Sequence, residues 1–239
     1  MTDLADVFDR GADHYDLLVS LNPGYHAHLR SAAAELIQRI GDHAPHLRLL
    51  DLACGSGAST RAIVDHAPTT ANVLGIDFSH GMLDHARRKV WPTTTEFLHG
   101  RVGDLDVDTL GAESWHGIFA SYLFRNVEAA ERDAAIVETH RLLAPGGWLV
   151  TQEYSVAGNR GATVMWDAVN GAAILPLALV VDRNPSLYRY LWRSVRAFDS
   201  TSRFMDRLAR AGFTDVACRT VGGWQRGILH TFVARKAAA

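Results

Sequence analysis

An apolar run drops into an acid and then into glycines at residues 47–60, "LRLLDLACGSGAST". Asp51 stands near the end of what reads as a buried strand, and Gly55-Ser56-Gly57 leads into what reads as a helix. Glycines there let a ligand approach the backbone closely. A dinucleotide fingerprint would place a third glycine where Thr60 stands. The carboxylate of Asp51 would also repel a pyrophosphate, whereas it favours a ligand that carries an ammonium group. Asp77, in "VLGIDFS", lies at the tip of the next strand. A carboxylate at that place can accept hydrogen bonds from both hydroxyls of a ribose. Asp104, in "GRVGDLD", follows the third strand, where an acid can accept the amino proton of an adenine. Taken singly, these features are a tight turn, a helix cap and a solvated loop acid. Together they describe a ligand with an ammonium, a ribose and an adenine but no phosphate, which is the chemistry of S-adenosylmethionine.

Such residues need a scaffold that ends successive strands at one edge. The pattern predicts helices over 4–19 and 25–40, separated by Pro23-Gly24. Strands and helices then alternate: strand Leu47–Leu52, helix Ser59–His66, strand Asn72–Ile76 and helix Ser79–Val90, with Ser79 as its cap. Strands at Glu96–Leu98 and Gly117–Tyr122 follow, then a helix from Glu128 to Leu143 that stops before Pro145-Gly146-Gly147, then a strand Trp148–Tyr154. Short connections between them predict a parallel sheet covered on both faces. Residues 155–197 read as mostly helical, and a helix Ser200–Ala211 closes at Gly212. Thr214–Thr220 and Ile228–Ala234 read as an antiparallel hairpin.

Composition narrows the function. The chain has 239 residues, 48% of them hydrophobic and 21% charged, enough for one domain with a full core. Its 24 basic and 26 acidic residues leave a net charge of −2 and no basic footprint for nucleic acid. Cys54 and Cys218 stand far apart, with no metal-ligand spacing and no disulfide framework, and no two histidines form a metal pair. The N-terminus lacks a hydrophobic signal core, so a cytoplasmic location is expected. The longest apolar run, Ala172–Val181, is about half a membrane span. It leaves peripheral membrane contact open, and a homodimer is equally open.

The chain resembles the class I S-adenosylmethionine-dependent methyltransferases. "LLDLACGSG" resembles their first motif, with Ala53 where a glycine is commoner; "GIDFSHGML", "GD" at Gly103-Asp104 and "RLLAPGGWLV" resemble later ones. Within the class it is most similar to the UbiE/MenG group, which methylates a ring carbon of prenylated quinols, through "VFDRGADHYD", "FRNV", "EYS" and "YRYLWRSVRAF". The resemblance implies an α/β, Rossmann-like class I methyltransferase fold with seven strands, mostly parallel, and an antiparallel C-terminal strand. It implies one domain over 1–239, with a helical N-terminal cap at 1–40 and a helical lid at 155–197. The implied cofactor set is Tyr15, Asp51, Ala53, Gly55, Ser56, Gly57, Asp77, Phe78, Met82, Gly103, Asp104, Leu105 and Tyr122. Arg125, Asn126 and His14 form the candidate catalytic set, and no metal is expected.

Methyl transfer from a sulfonium is an in-line displacement, so the protein mainly has to hold the nucleophile on axis. A phenol ionises at a pKa of about 10, and lowering that by about three units is worth about 4 kcal/mol. A guanidinium against the phenolic oxygen supplies part of it. Arg125 is placed for that role, unless it merely pairs with an acid such as Glu128. Arginine cannot itself be a neutral base at pH 7; His14, His26 and His28 lie in the cap, where one could accept a proton. Met165, Trp166, Ile174, Leu175, Leu177, Leu179 and Val180 could line an apolar acceptor pocket, with Tyr188 and Trp192 on one helix face. The expected partner is a hydrophobic small-molecule acceptor, and the expected product is S-adenosylhomocysteine. O- or N-methylation, and S-adenosylmethionine retained for non-methylating chemistry, stay open at this point.

Overall fold

The computed structural model describes residues 22, 24–41, 46–176, 179 and 186–238. The predicted helix over 4–19 lies outside them. Seven strands form one sheet: Arg48–Leu52 (β1), Asn72–Asp77 (β2), Thr95–His99 (β3), Trp115–Ser121 (β4), Leu143–Tyr154 (β5), Phe213–Thr220 (β6) and Leu229–Lys236 (β7). Their order is β3-β2-β1-β4-β5-β7-β6. The first five pair in parallel, and β7 runs antiparallel to both β5 and β6. A seven-stranded α/β sheet with an antiparallel C-terminal strand is the fold class that the sequence predicts.

Strand parity explains how the sheet holds two helical layers. Leu49, Val73, Phe119 and Val150 face one core. There they meet Leu29 and Leu36 of the helix Tyr25–Ile40 (α1) and Ile63 of the helix Ala58–Val64 (α2). Leu50, Leu52, Ile118 and Leu149 face the other. The helix His80–Arg87 (α3) packs on β2 and β3, with Ala86 beside Gly57 at the head of α2. The helices of the second core are the single turn Val107–Leu110 (α4) and Arg132–Leu142 (α5), with α5 contributing Ala135 and Ile136. Ser79 caps α3 by accepting a hydrogen bond from the Met82 N–H at 3.1 Å.

Two boundaries differ from the sequence reading. Pro145-Gly146-Gly147 does not separate helix from strand; β5 already begins at Leu143, which pairs with Trp115. The register shifts before Gly117 meets Trp148, and Gly146 takes a φ of 80°, so these residues form a bulge inside the strand. The helix after β4 starts at Arg132 rather than Glu128, because Phe124–Asn126 is wound into a separate 3-10 turn.

Beyond β5 lie a helix Arg160–Val169 (α6), a π-helical turn Asn170–Ile174, a helix Ser186–Ala197 (α7) and a helix Thr201–Arg210 (α8). Trp166 is buried, but Met165 and Leu179 are 46% and 52% exposed, so these two do not line an enclosed pocket as the sequence suggested. Leu177 and Val180 fall outside the described residues. Among the described residues, no helix is long and apolar enough to cross a membrane.

A buried charge cluster fixes the 3-10 turn. Arg132 donates through Nε to the Phe124 carbonyl (2.9 Å) and through Nη2 to the Val127 carbonyl (3.0 Å). Its Nη1 meets Asp199 at 2.8 Å, and Arg207 Nε meets the same carboxylate oxygen at 2.7 Å. Removing one partner from a buried ion cluster strands the others, at a cost of about 3–5 kcal/mol. Asp199→Ala is therefore expected to lower unfolding stability by about that amount in urea titrations, with Arg132 losing its carboxylate and Arg207 left with Asp133 alone.

Candidate active site

The strand order reverses between β1 and β4, and there the carboxyl ends part into an open cleft of about 580 Å³. The turn after β1 lines it with Ala53, Cys54, Gly55 and Ser56, and α2 adds Ala58 and Ser59. Asp77, Phe78 and Met82 come from the tip of β2 and from α3, and Tyr25 from α1. The end of β4 supplies Ser121, Tyr122, Arg125 and Asn126.

The turn is held open by carboxylates. Ala53 and Gly55 take φ values of 60° and 54°. Only glycine adopts that region without strain, so Ala53 is a residue under strain. Gly57, at φ 92°, caps α2, and a Cβ there would meet the Trp91 ring at 2.8 Å. Asp77 accepts from the Gly55 N–H at 2.8 Å with one oxygen and from the Ser79 N–H at 2.9 Å with the other. Burial pushes its carboxyl up, and these backbone donors pull it partly back.

Asp51 does not stand on the cleft wall. It shares the face of β1 that meets α2, where its Oδ2 accepts from the hydroxyls of Ser59 (2.7 Å) and Thr60 (2.6 Å). Its Oδ1 is buried with no hydrogen-bond partner among the described residues. Complete burial raises this carboxyl to about 7, against the lowering effect of the two hydroxyls. Beyond β3, Asp104 is exposed and off the wall. The loop is gripped instead by Glu138 of α5, which accepts from the N–H groups of Gly103 and Leu105, each at 2.8 Å.

The opposite wall is aromatic and cationic. Tyr122 takes a φ of 59° and donates from its N–H to the Gln152 carbonyl at 2.8 Å. Its ring stacks on Tyr25 (centroids 5.6 Å apart) and on Tyr154 (5.1 Å). Asn126 donates from Nδ2 to the Tyr122 carbonyl at 2.8 Å. Arg125 is buried; its Nη1 donates to Asn126 Oδ1 (3.0 Å) and to the Ser194 hydroxyl of α7 (2.7 Å). Its acidic neighbour is Glu153 at 3.8 Å, not Glu128.

Of the residues singled out by sequence, Ala53, Gly55, Ser56, Asp77, Phe78, Met82, Tyr122, Arg125 and Asn126 meet on the cleft. Asp51, Gly57, Gly103, Asp104 and Leu105 do not line it, and His14 and Tyr15 lie outside the described residues. Tyr25, Ser59 and Glu153 were not anticipated. The hydroxyl pair directly after the glycine turn was a readable sign for Ser59, since a buried strand acid needs donors.

Residues 2–236 match the model of the ubiE/COQ5 methyltransferase family. The chain belongs to that family. A demethylmenaquinone methyltransferase of Streptomyces avermitilis is 30% identical over 224 residues, spanning 92% of this chain and 90% of its own. One from Mycobacterium tuberculosis is 31% identical over 222 residues, spanning 92% and 88%. Among solved structures, an S-adenosylmethionine-dependent methyltransferase of Thermotoga maritima superposes with a TM-score of 0.62 at 18% identity, covering 96% of this chain and 98% of that one. An O-methyltransferase family protein of Burkholderia thailandensis superposes at 0.65 and 16% identity, covering 95% and 60%. Likeness at that level speaks for the fold. With the family established, this ubiE/COQ5-family chain is an S-adenosylmethionine-dependent methyltransferase.

The state of Asp51 gives a pH test. Its folded value of about 7 exceeds its ordinary 3.8, so between those values the folded protein binds more protons than the unfolded chain. Stability then falls as pH rises through that window and levels off above it. Asp51→Asn is expected to flatten the slope by up to about 1.4 kcal/mol per pH unit, read from urea unfolding at a series of pH values from 4 to 8.

Proposed function

We propose that this methyltransferase holds S-adenosylmethionine against the turn after β1 and methylates a ring carbon of a phenol- or quinol-type acceptor. The observation that carries the reading is Arg125, a buried guanidinium on the cleft wall beside the stacked rings of Tyr25 and Tyr122. The relatives named as demethylmenaquinone methyltransferases support the same acceptor class.

The residues present suit the cofactor. Asp77 offers lone pairs to ribose hydroxyls from the wall. Gly55 leaves open space where any other residue would place a Cβ. Ser59 lines the cleft and spends its proton on Asp51, so its oxygen faces a cationic group with the field of that carboxylate behind it. Bound there, the cofactor supplies an electrophilic methyl group on a sulfonium.

Arg125 then lowers the pKa of the acceptor hydroxyl and holds the oxygen as it becomes anionic. An oxygen engaged by a guanidinium is a poor nucleophile, and charge delocalised from it activates the ring carbon. That favours carbon over oxygen methylation. The acceptor gains a methyl and gives up the ring proton at that carbon, which restores aromaticity. The guanidinium stays protonated throughout, so a separate base or water takes the proton; we assign His14 as the base. The cap over 1–40, with Tyr15, and the helical segment 155–197 are proposed to close over the acceptor and exclude water.

Incubation of the protein and S-adenosylmethionine with a panel of quinols, naphthols and phenols, read by mass spectrometry, is expected to give C-methylated product. Formation of O- or N-methyl product alone would overturn the carbon assignment. Arg125→Ala is expected to lower kcat by about 100–1,000-fold, as for loss of an oxyanion donor, with cofactor affinity within threefold. Asp77→Ala is expected to weaken cofactor binding by about two to four decades in calorimetry, since each lost hydrogen bond to a charged group is worth roughly 1.5–3 kcal/mol.

A further inference from the structure

We propose that Glu153 is a positioning residue for methyl transfer: its buried carboxylate aims the Arg125 guanidinium at the acceptor oxygen. The inference rests on the reading of Arg125 given above. Glu153 is wholly buried near the end of β5, on the sheet face opposite to Tyr154. One oxygen accepts from the Phe124 N–H at 2.6 Å, which anchors the first residue of the 3-10 turn. The other lies 3.8 Å from Arg125 Nε. Both of these atoms are buried, and neither has a hydrogen-bond partner among the described residues.

The arrangement divides the guanidinium between three tasks. Nε is turned to the sheet carboxylate, and Nη1 is committed to Asn126 and Ser194. Nη2 is left without a hydrogen bond among the described residues, on a side chain that lines the cleft. A buried carboxylate opposite Nε fixes the plane of the fork, and with it the direction in which Nη2 points. Burial raises the Glu153 carboxyl to about 7, and Arg125, then the Phe124 N–H, then Arg132 oppose that rise. The carboxylate is thus sustained by the cation that it orients.

Glu153→Gln keeps an oxygen for the Phe124 N–H and removes the charge. The test is a cycle with Arg125→Ala, using a quinol or naphthol that the wild type methylates. Glu153→Gln is expected to lower kcat by about tenfold, with KM for the cofactor unchanged, and to cost nothing further in the Arg125→Ala background. An unchanged kcat, an equal loss in both backgrounds, or loss of cofactor binding in Glu153→Gln would overturn the proposal. A second measurement needs no turnover: hydrogen exchange of the Arg125 Nε–H, identified by its absence in Arg125→Ala. Glu153→Gln is expected to speed that exchange by about tenfold or more, and an unchanged rate would overturn the proposal. If the wild type methylates no acceptor in the panel, the functional reading fails, and the exchange rate still decides the role of Glu153.

Discussion

The carboxylate of Asp77 joins two loops at the floor of the cleft. Through one oxygen it takes the Gly55 N–H, and through the other the Ser79 N–H. The turn after β1 is thereby fastened to the start of α3, across the gap between neighbouring strand ends. The turn has reason to resist. Ala53 is left-handed at φ 60°, a region that a side chain disfavours by roughly 1–2 kcal/mol. A hydrogen bond to a charged acceptor is worth about 1.5–3 kcal/mol, enough to offset that strain. Asp51 acts on the other side of the same turn, where its two hydroxyl donors pin the first residues of α2. The cleft floor is therefore a strained loop between two buried acids.

The opposite wall follows the same logic with the charges reversed. Tyr122 is also left-handed, and its N–H is tied back to Gln152 on β5. The 3-10 turn that follows is too short to be stable alone. Glu153 holds it at the Phe124 N–H, and Arg132 holds it at the Phe124 and Val127 carbonyls. Arg125 sits in the middle of this frame. Ser194 connects that frame to α7, so the helical segment after β5 and the sheet meet at one guanidinium.

The alternation of strands and helices was legible because buried parallel strands read as apolar runs and their connections are short. Asp77 was legible as the acid at a strand tip. The orientation of Asp51 was not, because parity sends it to the face of α2 only once the covering helix is known. The partner of Arg125 was missed for a related reason. Glu128 is near in sequence, but Glu153 is near in space because β4 and β5 pair side by side, Ser121 against Gln152. Pro145-Gly146-Gly147 reads as a stop in any local window. It becomes a bulge because Leu143 already pairs with Trp115 before it. The misses at Arg125 and at the bulge concern pairings between distant residues, which no local pattern encodes.

On the proposed reading, the two walls let the same molecule hold a cation and stabilise an anion a short distance apart. Asp51 and Asp77 lie under the β1 and β2 ends, while Arg125 and Arg132 lie beyond the β4 end. Both sets are buried, where charges are poorly screened and act at several ångströms. In the proposed reaction a sulfonium and a developing phenolate would be attracted to opposite sides of the cleft, each toward groups already fixed by other bonds. Their charges cancel when the methyl moves, so the preorganised field must favour the separated ions without trapping them. Raised carboxyls suit that balance. Burial raises the Asp51 carboxyl to about 7, so in the proposed complex a cation held above it would favour its charged form.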